Sequence, residues 1–237
     1  MSELVIRGLR GGYTPDIDVL NGIDLSLEKQ EVVGIIGLNG CGKSTLAKAV
    51  VNIIPRRTGT VYLKGLDISA LSTREIARKG LRLMQQGGVV FKNLSVLDNL
   101  GIAMGNADED LFRCLKENIP LLRRPEKELS RLKADRLSGG QRHQLALALT
   151  LAQKPDVVIL DEPSAGLSPV AVNEMYSLMS VLKKEFALTA MVIEQNIDKA
   201  IEFCDRCVFL SQGTIAEEFR GEDKEAIRTK IINRIGL

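Results

Sequence analysis

The sequence predicts an α/β fold: a core of strands alternating with helices, interrupted by a helical insert. Three observations carry this reading. Short apolar runs alternate with helically spaced segments near both ends of the chain. From about residue 93 to residue 154 the spacing is helical throughout. A glycine-rich loop joins one apolar run to the helix that follows it. No repeat or low-complexity linker divides the chain, so residues 1–237 are expected to form one domain with 93–154 as its helical subdomain.

The elements follow in order. "ELVIRGLRGGY" reads as a strand relaxing into a glycine-loosened turn, and "IDLSLEKQ" alternates as a half-buried strand does. "EVVGIIG" is continuously apolar, as a strand covered on both faces requires. "KSTLAKAVVNII" has helical spacing and stops at Pro55. "GTVYLKG" is a strand, and "STREIARKGL" is a short helix opened by a capping box from Ser72 to Glu75. "LRLMQQ" is a short strand. The insert comprises "LSVLDNLGIAM", "DEDLFRCLKENI", "PEKELSRLKA" and "SGGQRHQLALALTLAQ". Strands and helices then alternate through "DVVIL", "SPVAVNEMYSLMSVLKKEF", "LTAMVIEQ", "RCVFLSQG" and "TIAEEF". The isoleucines of "DKEAIRTKIINRIGL" are spaced for an amphipathic helix and, like Met84, read as core.

Composition narrows the function. The 237 residues are 45% hydrophobic and 26% charged, enough to bury a sizeable core. A net charge of +2 gives no electrostatic case for nucleic acid. No apolar run approaches the roughly 20 residues of a membrane span. "MSELVIRGLRGG" lacks the apolar core of a signal peptide, so a cytosolic protein is expected, and a membrane role would need a partner. "CDRC" has CxxC spacing, but no second pair or nearby histidine completes a zinc site, so Cys204 and Cys207 read as core residues. His143, the single histidine, lies in the polar stretch "QRHQ" and is expected on a solvated helix face.

The chemistry begins at "GIIGLNGCGKST". Gly37, Gly42, Lys43 and Ser44 fit G-x-x-x-x-G-K-[ST], after a strand and before a helix. Gly37, Gly40 and Gly42 let the backbone turn so that N–H groups converge, with Leu38, Asn39, Cys41 and Thr45 completing the loop. The helix adds its positive end. Lys43 suits the β- and γ-phosphates, and the Ser44 hydroxyl is a hard oxygen ligand for Mg²⁺. A nucleoside triphosphate is therefore the expected ligand. Cys41, flanked by backbone donors and near Lys43, is expected to be partly accessible with its thiolate favoured.

A second pattern, "VVILDEPSAGL", runs an apolar strand into two acids. Asp161 is expected to hold Mg²⁺, reaching it through a water. Glu162, one residue on, points the other way and is expected to polarise the water that attacks the γ-phosphate. "LSGGQ" reads as a second phosphate-binding loop, Ser138, Gly139 and Gly140, ahead of a helix. Two chains head to tail would let each such loop close over the ATP held by the other.

Together these motifs resemble the ATP-binding subunits of ABC transporters, in order and across essentially the whole chain. The resemblance adds Tyr13 as an adenine-stacking aromatic, Gln86 of "MQQG" beside nucleotide and metal, and Gln141 with the signature loop. It implies a RecA-like phosphate-loop core, an antiparallel β subdomain, ATP hydrolysis, and a dimer with two ATPs at its interface. The implied partners are integral-membrane permease subunits, a second ABC ATPase chain, identical or different, and an extracytoplasmic solute-binding protein if the system imports. The chain would then sit peripherally on the cytoplasmic membrane face. "LDISALSTREIARKGLRLMQQGGVVFKNLSVLDNL" and "VIEQN" are similar to the branched-chain amino-acid importer branch, in which Gln195 often replaces the wider family's histidine. Gln195 is expected to sense the γ-phosphate by a hydrogen bond. Gln144 and Leu149 stand where many relatives have arginines, and 106–130 does not follow the branch closely. Urea, amide or other importers share these features, and an exporter is a further reading. A soluble ABC ATPase acting on DNA or ribosomes would be expected to carry long coiled coils or two ATPase units, and a non-hydrolysing ATP-binder to lack part of the acid pair.

Overall fold

The structure, a computed structural model, describes residues 2–105, 109–221 and 223–235. Asp108, Gly236 and Leu237, which the sequence assigns to helices, lie outside the described residues. Strands β1 (Ser2–Gly12), β2 (Leu20–Glu28), β4 (Arg56–Leu63) and β5 (Leu66–Asp67) form an antiparallel sheet in the order β2-β1-β4-β5. Strands β3 (Val32–Ile36), β6 (Leu81–Met84), β7 (Val157–Asp161), β8 (Thr189–Glu194), β9 (Arg206–Ser211) and β10 (Thr214–Arg220) form a second sheet, ordered β10-β9-β3-β8-β7-β6. Its first two strands, β10 and β9, pair antiparallel and every other pairing is parallel.

The parallel strands carry little polar patterning because both their faces are covered. All five residues of β7 and all six of β8 are buried. The period of 2 is visible instead in which core each side chain enters. Val158 and Leu160 join the core under the helical segment, whereas Val157 and Ile159 join the core between the sheets. Asp161 continues the second set by parity. It therefore emerges on the side of helix α1 (Lys43–Val50), whose buried face fills that same core.

Helix α2 (Thr73–Arg78) begins with the expected box, Ser72 and Glu75 each bonding the other's backbone N–H. The segment between β6 and β7 carries α3 (Val96–Met104), α4 (Glu109–Asn118), α5 (Glu126–Leu129) and α6 (Gly139–Leu151), with 3₁₀ turns at Pro120–Arg123 and Ala134–Arg136. Helices α7 (Pro169–Glu185), α8 (Ile197–Phe203) and α9 (Lys224–Ile235) complete the chain. Ile227 and Ile231, one turn apart on α9, are buried against Phe209 and Phe219, as the isoleucine spacing predicts.

Some boundaries move for local reasons. "KSTLAKAVVNII" stops being helical at Val50, and Asn52 turns left-handed at φ 59°, before Pro55 is reached. "PEKELSRLKA" yields only α5. Residues beyond it are drawn into extended pairing, with Val96 N–H on Leu132 O and Ala134 N–H on Leu94 O. The glycines of "RGLRGG" lie inside β1, where a register shift between Ile6 and Leu9 absorbs them. Among the described residues, no helix is long and apolar enough to cross a membrane.

Candidate active site

The loop between β3 and α1 turns where side chains would not fit. A Cβ on Gly37 would lie 2.3 Å from Leu210 O, and Gly42 caps α1 at φ 108°. Lys43 is buried, and its Nζ donates to the carbonyls of Gly37 (2.8 Å) and Leu38 (2.9 Å). The ammonium thus lies folded over the loop that its own helix begins. Tyr13, half exposed, reaches the same end of α1, with its hydroxyl 3.5 Å from Thr45 Oγ1.

β7 delivers the acids. Ser44 Oγ donates to Asp161 Oδ1 at 2.9 Å. Burial raises the pKa of Asp161, helped by the Glu162 charge. The Ser44 bond and the charges of Lys48 and Lys43 oppose that rise. Glu162 leaves the strand in the left-handed region, φ 50°, with its N–H held by Ile193 O at 2.9 Å. Both its oxygens are taken: Gln86 Nε2 donates to Oε2 and Gln195 Nε2 to Oε1, each at 2.6 Å. The structure therefore brings together Asp161, Glu162, Gln86 and Gln195 at the mouth of the glycine loop. Asn39, Gly40, Gly42, Lys43, Ser44, Thr45, Gln86, Glu162 and Gln195 line one cavity of about 280 Å³.

Cys41 departs from the expectation. It is buried, its sulfur would lie 2.8 Å from a Cβ on Gly37, and burial raises its thiol pKa despite the nearby Lys43 charge. Desolvation outweighs the cation, so the thiol form is favoured.

The signature segment lies elsewhere. Ser138 is the N-cap of α6, with Gln141 N–H on Ser138 Oγ (3.2 Å) and Ser138 N–H on Gln141 Oε1 (3.1 Å). Gly139 and Gly140 are the first residues of the helix rather than a separate loop, and neither has positive φ. The exposed donors are therefore those of a helix N-terminus. A Cβ on Gly139 would lie 3.6 Å from Leu167 and one on Gly140 3.7 Å from Ala171, both ordinary contacts. Packing within this chain does not demand glycine at either place. Ser138, Gly139, Gly140 and Gln141 line a second cavity of about 560 Å³, with Arg124, Gln144, Leu167 and Ser168. It shares no residue with the first.

His143 is a correction. It is buried, and its Nδ1 lies 2.9 Å from Gly139 O, which can only accept. The turn at Gly88 packs against the backbone of residues 142 and 143 and covers this face of the helix. Gln144 accepts from Leu121 N–H at 2.9 Å, and so serves the insert's internal packing. Cys204 and Cys207 are free and border Gly34, where an added Cβ would lie 2.9 and 3.3 Å from their sulfurs.

A further buried acid lies behind the site, and the sequence reading does not single it out. Glu194 is 1% exposed and accepts from the backbone N–H groups of Ser164 (3.3 Å), Gln195 (3.1 Å) and Asn196 (3.3 Å). The signal was available, since "TAMVIE" ends an apolar strand on an acid just as "VVILD" does.

A family model described as ABC transporter matches residues 20–165. The probable branched-chain amino acid transport ATP-binding protein LivF of Archaeoglobus fulgidus is 33% identical over 223 residues, covering 92% of each chain. The lipopolysaccharide export system ATP-binding protein LptB of Escherichia coli K12 is 30% identical over 240 residues, covering 100% of this chain and 98% of that one. Among solved structures, the ADP conformation of an ATP-binding cassette of an ABC transporter superposes with a TM-score of 0.82 at 26% identity, covering 100% of both chains. With a phosphate loop, an acid pair and a signature helix arranged as described, this chain belongs to the ABC transporter family, as an ATP-binding subunit whose ATP hydrolysis is coupled to transport.

Proposed function

We propose that the chain is the motor subunit of an importer for branched-chain amino acids or a related small solute. Residues 1–237 act as one domain in it, with 93–154 as the inserted helical part. The observation that carries the hydrolytic reading is the pair of 2.6 Å bonds from Gln86 and Gln195 to Glu162, beside the Ser44–Asp161 contact. Backbone N–H groups of the loop and the Lys43 ammonium hold the β- and γ-phosphates. Tyr13 stacks on the adenine. Ser44 and Gln86 line the cavity and Asp161 lies directly behind, bonded to the Ser44 hydroxyl; a hydroxyl, a carboxylate and an amide oxygen are hard donors of the kind that would hold Mg²⁺. When bound, that ion neutralises charge developing on the phosphates. Glu162 accepts a proton from the attacking water, and Gln195 donates a hydrogen bond to a γ-phosphate oxygen.

The second cavity supports a dimer. A helix N-terminus starting with two glycines that its own chain does not require is suited to a phosphate group brought by another chain, the same or different. Permease subunits would hold such a pair at the cytoplasmic membrane face, with an extracytoplasmic solute-binding protein delivering solute and no nucleic acid involved.

The LivF relative favours import. The LptB relative supports an export reading. Reconstitution with the co-purifying permease separates them. Turnover stimulated by a solute-binding protein loaded with leucine supports import, and turnover that responds only to a lipid substrate on the cytoplasmic side defeats it.

A further inference from the structure

Glu194 ends β8 with a buried carboxylate that has no lysine or arginine partner among the described residues. An unpaired buried anion is costly unless hydrogen-bond donors replace the lost water. Here the donors come from two different turns. Oε1 takes the N–H of Ser164, in the turn after β7, and Oε2 takes those of Gln195 and Asn196, in the turn after β8. Burial and the Glu194 charge push the phenol of Tyr176 on α7 far up, so it adds no second charge there.

The two turns held this way carry the two ends of one functional contact. Gln195 Nε2 reaches Glu162 Oε1 at 2.6 Å, and its backbone N–H is on Glu194. Glu162 is fixed from behind by Ile193 O on its own N–H, and two residues on by Ser164 N–H on Glu194. Glu194 does not line the cavity that holds Glu162 and Gln195. The Ser164 turn continues into Gly166, Leu167 and Ser168, which line the other cavity, beside the signature helix. The carboxylate thus bonds one turn that reaches the hydrolytic cavity at Gln195 and another that leads on to the wall of the second cavity.

We propose that Glu194 is a positioning residue for ATP hydrolysis: its carboxylate sets the spacing of Glu162 and Gln195 and ties both to the segment that faces the partner nucleotide. The inference rests on the hydrolytic reading above. Geometry errors at reacting groups cost rate more than ground-state binding. Removing the tie therefore lowers kcat while affinity is kept, because the Glu194 carboxylate bonds the turns after β7 and β8 and gives no hydrogen bond to the phosphate loop.

The test measures kcat, KM and equilibrium MgATP affinity for Glu194→Ala and Glu194→Gln, below the melting temperature of the weaker variant. Glu194→Ala is expected to lose roughly tenfold or more in kcat, the equivalent of one contact of ~1.4 kcal/mol, with ATP affinity within about twofold. Glu194→Gln keeps one acceptor oxygen and is expected to recover part of that loss. Should the alanine variant not fold, the glutamine variant alone must show reduced kcat at unchanged affinity. Wild-type turnover in the glutamine variant overturns the proposal. So does a parallel loss of kcat and affinity in which glutamine does no better than alanine. Glu162→Gln measured alongside separates the two layers. If it hydrolyses normally, the hydrolytic reading and this inference fall together. If it is inactive while both Glu194 variants turn over normally, only the inference falls.

Discussion

The two cavities differ in how complete they are. Around the phosphate loop the ends of β3, β6, β7 and β8 and the start of α1 converge, and the buried charges already have partners: Lys43 on two carbonyls, Asp161 on Ser44, Glu162 on two glutamines. Around Ser138 the first turn of α6 offers backbone donors to a space twice as large, about 560 against 280 Å³. A satisfied polar cluster is a site built within one chain. A helix N-terminus whose glycines solve no packing problem of their own offers donors that its own chain does not use. The proposed reading turns this difference into a division of labour, with nucleotide binding within one chain and the rate set by two.

The sharpest way to test this is to separate binding from turnover. Glu162→Gln keeps size but removes the base, and is expected to lower kcat by about 10²–10⁴ with ATP binding retained. Size exclusion with ATP should then show an accumulated dimer, and a variant that turns over at the wild-type rate shows that another group positions the water. Lys43→Ala removes the buried ammonium and should weaken ATP binding by roughly 100-fold, about 3 kcal/mol, in a titration of the isolated chain. Unchanged affinity breaks the assignment of the first cavity.

The other half of the comparison is tested at Gly139. Gly139→Asp places a carboxylate where a phosphate is expected, while an acid in the first turn helps the helix itself by about 0.5 kcal/mol. Its Cβ has room, 3.6 Å from Leu167. ATP affinity of the single chain should be unchanged and turnover should fall more than about tenfold, a loss of at least ~1.4 kcal/mol of transition-state stabilisation. Weakened binding by the isolated chain instead would mean that the two cavities are not independent. Gln195→Ala is expected to cost about tenfold in kcat at unchanged affinity. Gln195→His should remain active and add a pH dependence near the histidine value of about 6.5. The smallest effect is at Cys41: with its thiol buried and its pKa raised, alkylation should be slower than at the partly exposed Cys114, and MgATP should slow it further. Mass spectrometry of the labelled peptides reads this, and equal labelling with and without nucleotide shows that the ligand does not cover the loop.

What the sequence disclosed follows the same division. The phosphate loop and the acid pair are legible because their chemistry needs fixed residue types at fixed spacing beside buried strands, whereas Gln195 is singled out by the family resemblance alone. The strands were legible because β3, β7 and β8 are apolar on both faces. The insert was less so. "SRLKA" has helical composition, yet hydrogen bonds to the 94–96 segment unwind it, a tertiary competition that local spacing cannot report. His143 stands among polar neighbours in the sequence, yet its side chain is buried and the Gly88 turn packs against its backbone, contacts that local composition does not report. Glu194 ends its strand as Asp161 does, but the backbone donors that surround it come from two separate turns, which the local sequence does not report.

Glu162 sits in the left-handed region at φ 50°, which is uncommon for a side chain that is not glycine, asparagine or aspartate. Such a conformation costs on the order of 1–3 kcal/mol, and the remainder of the molecule has to hold it. Glycine takes that conformation freely, but Glu162→Gly also removes the carboxylate that accepts from Gln86 and Gln195, so the relief of strain and the loss of these hydrogen bonds act on the melting temperature with opposite signs. Six other described residues that are not glycine share the left-handed region, Gln30, Asn52, Lys64, Lys154, Ala187 and Gln212, but Glu162 alone among them lines the phosphate-loop cavity, so there the cost of the backbone is carried at the site itself.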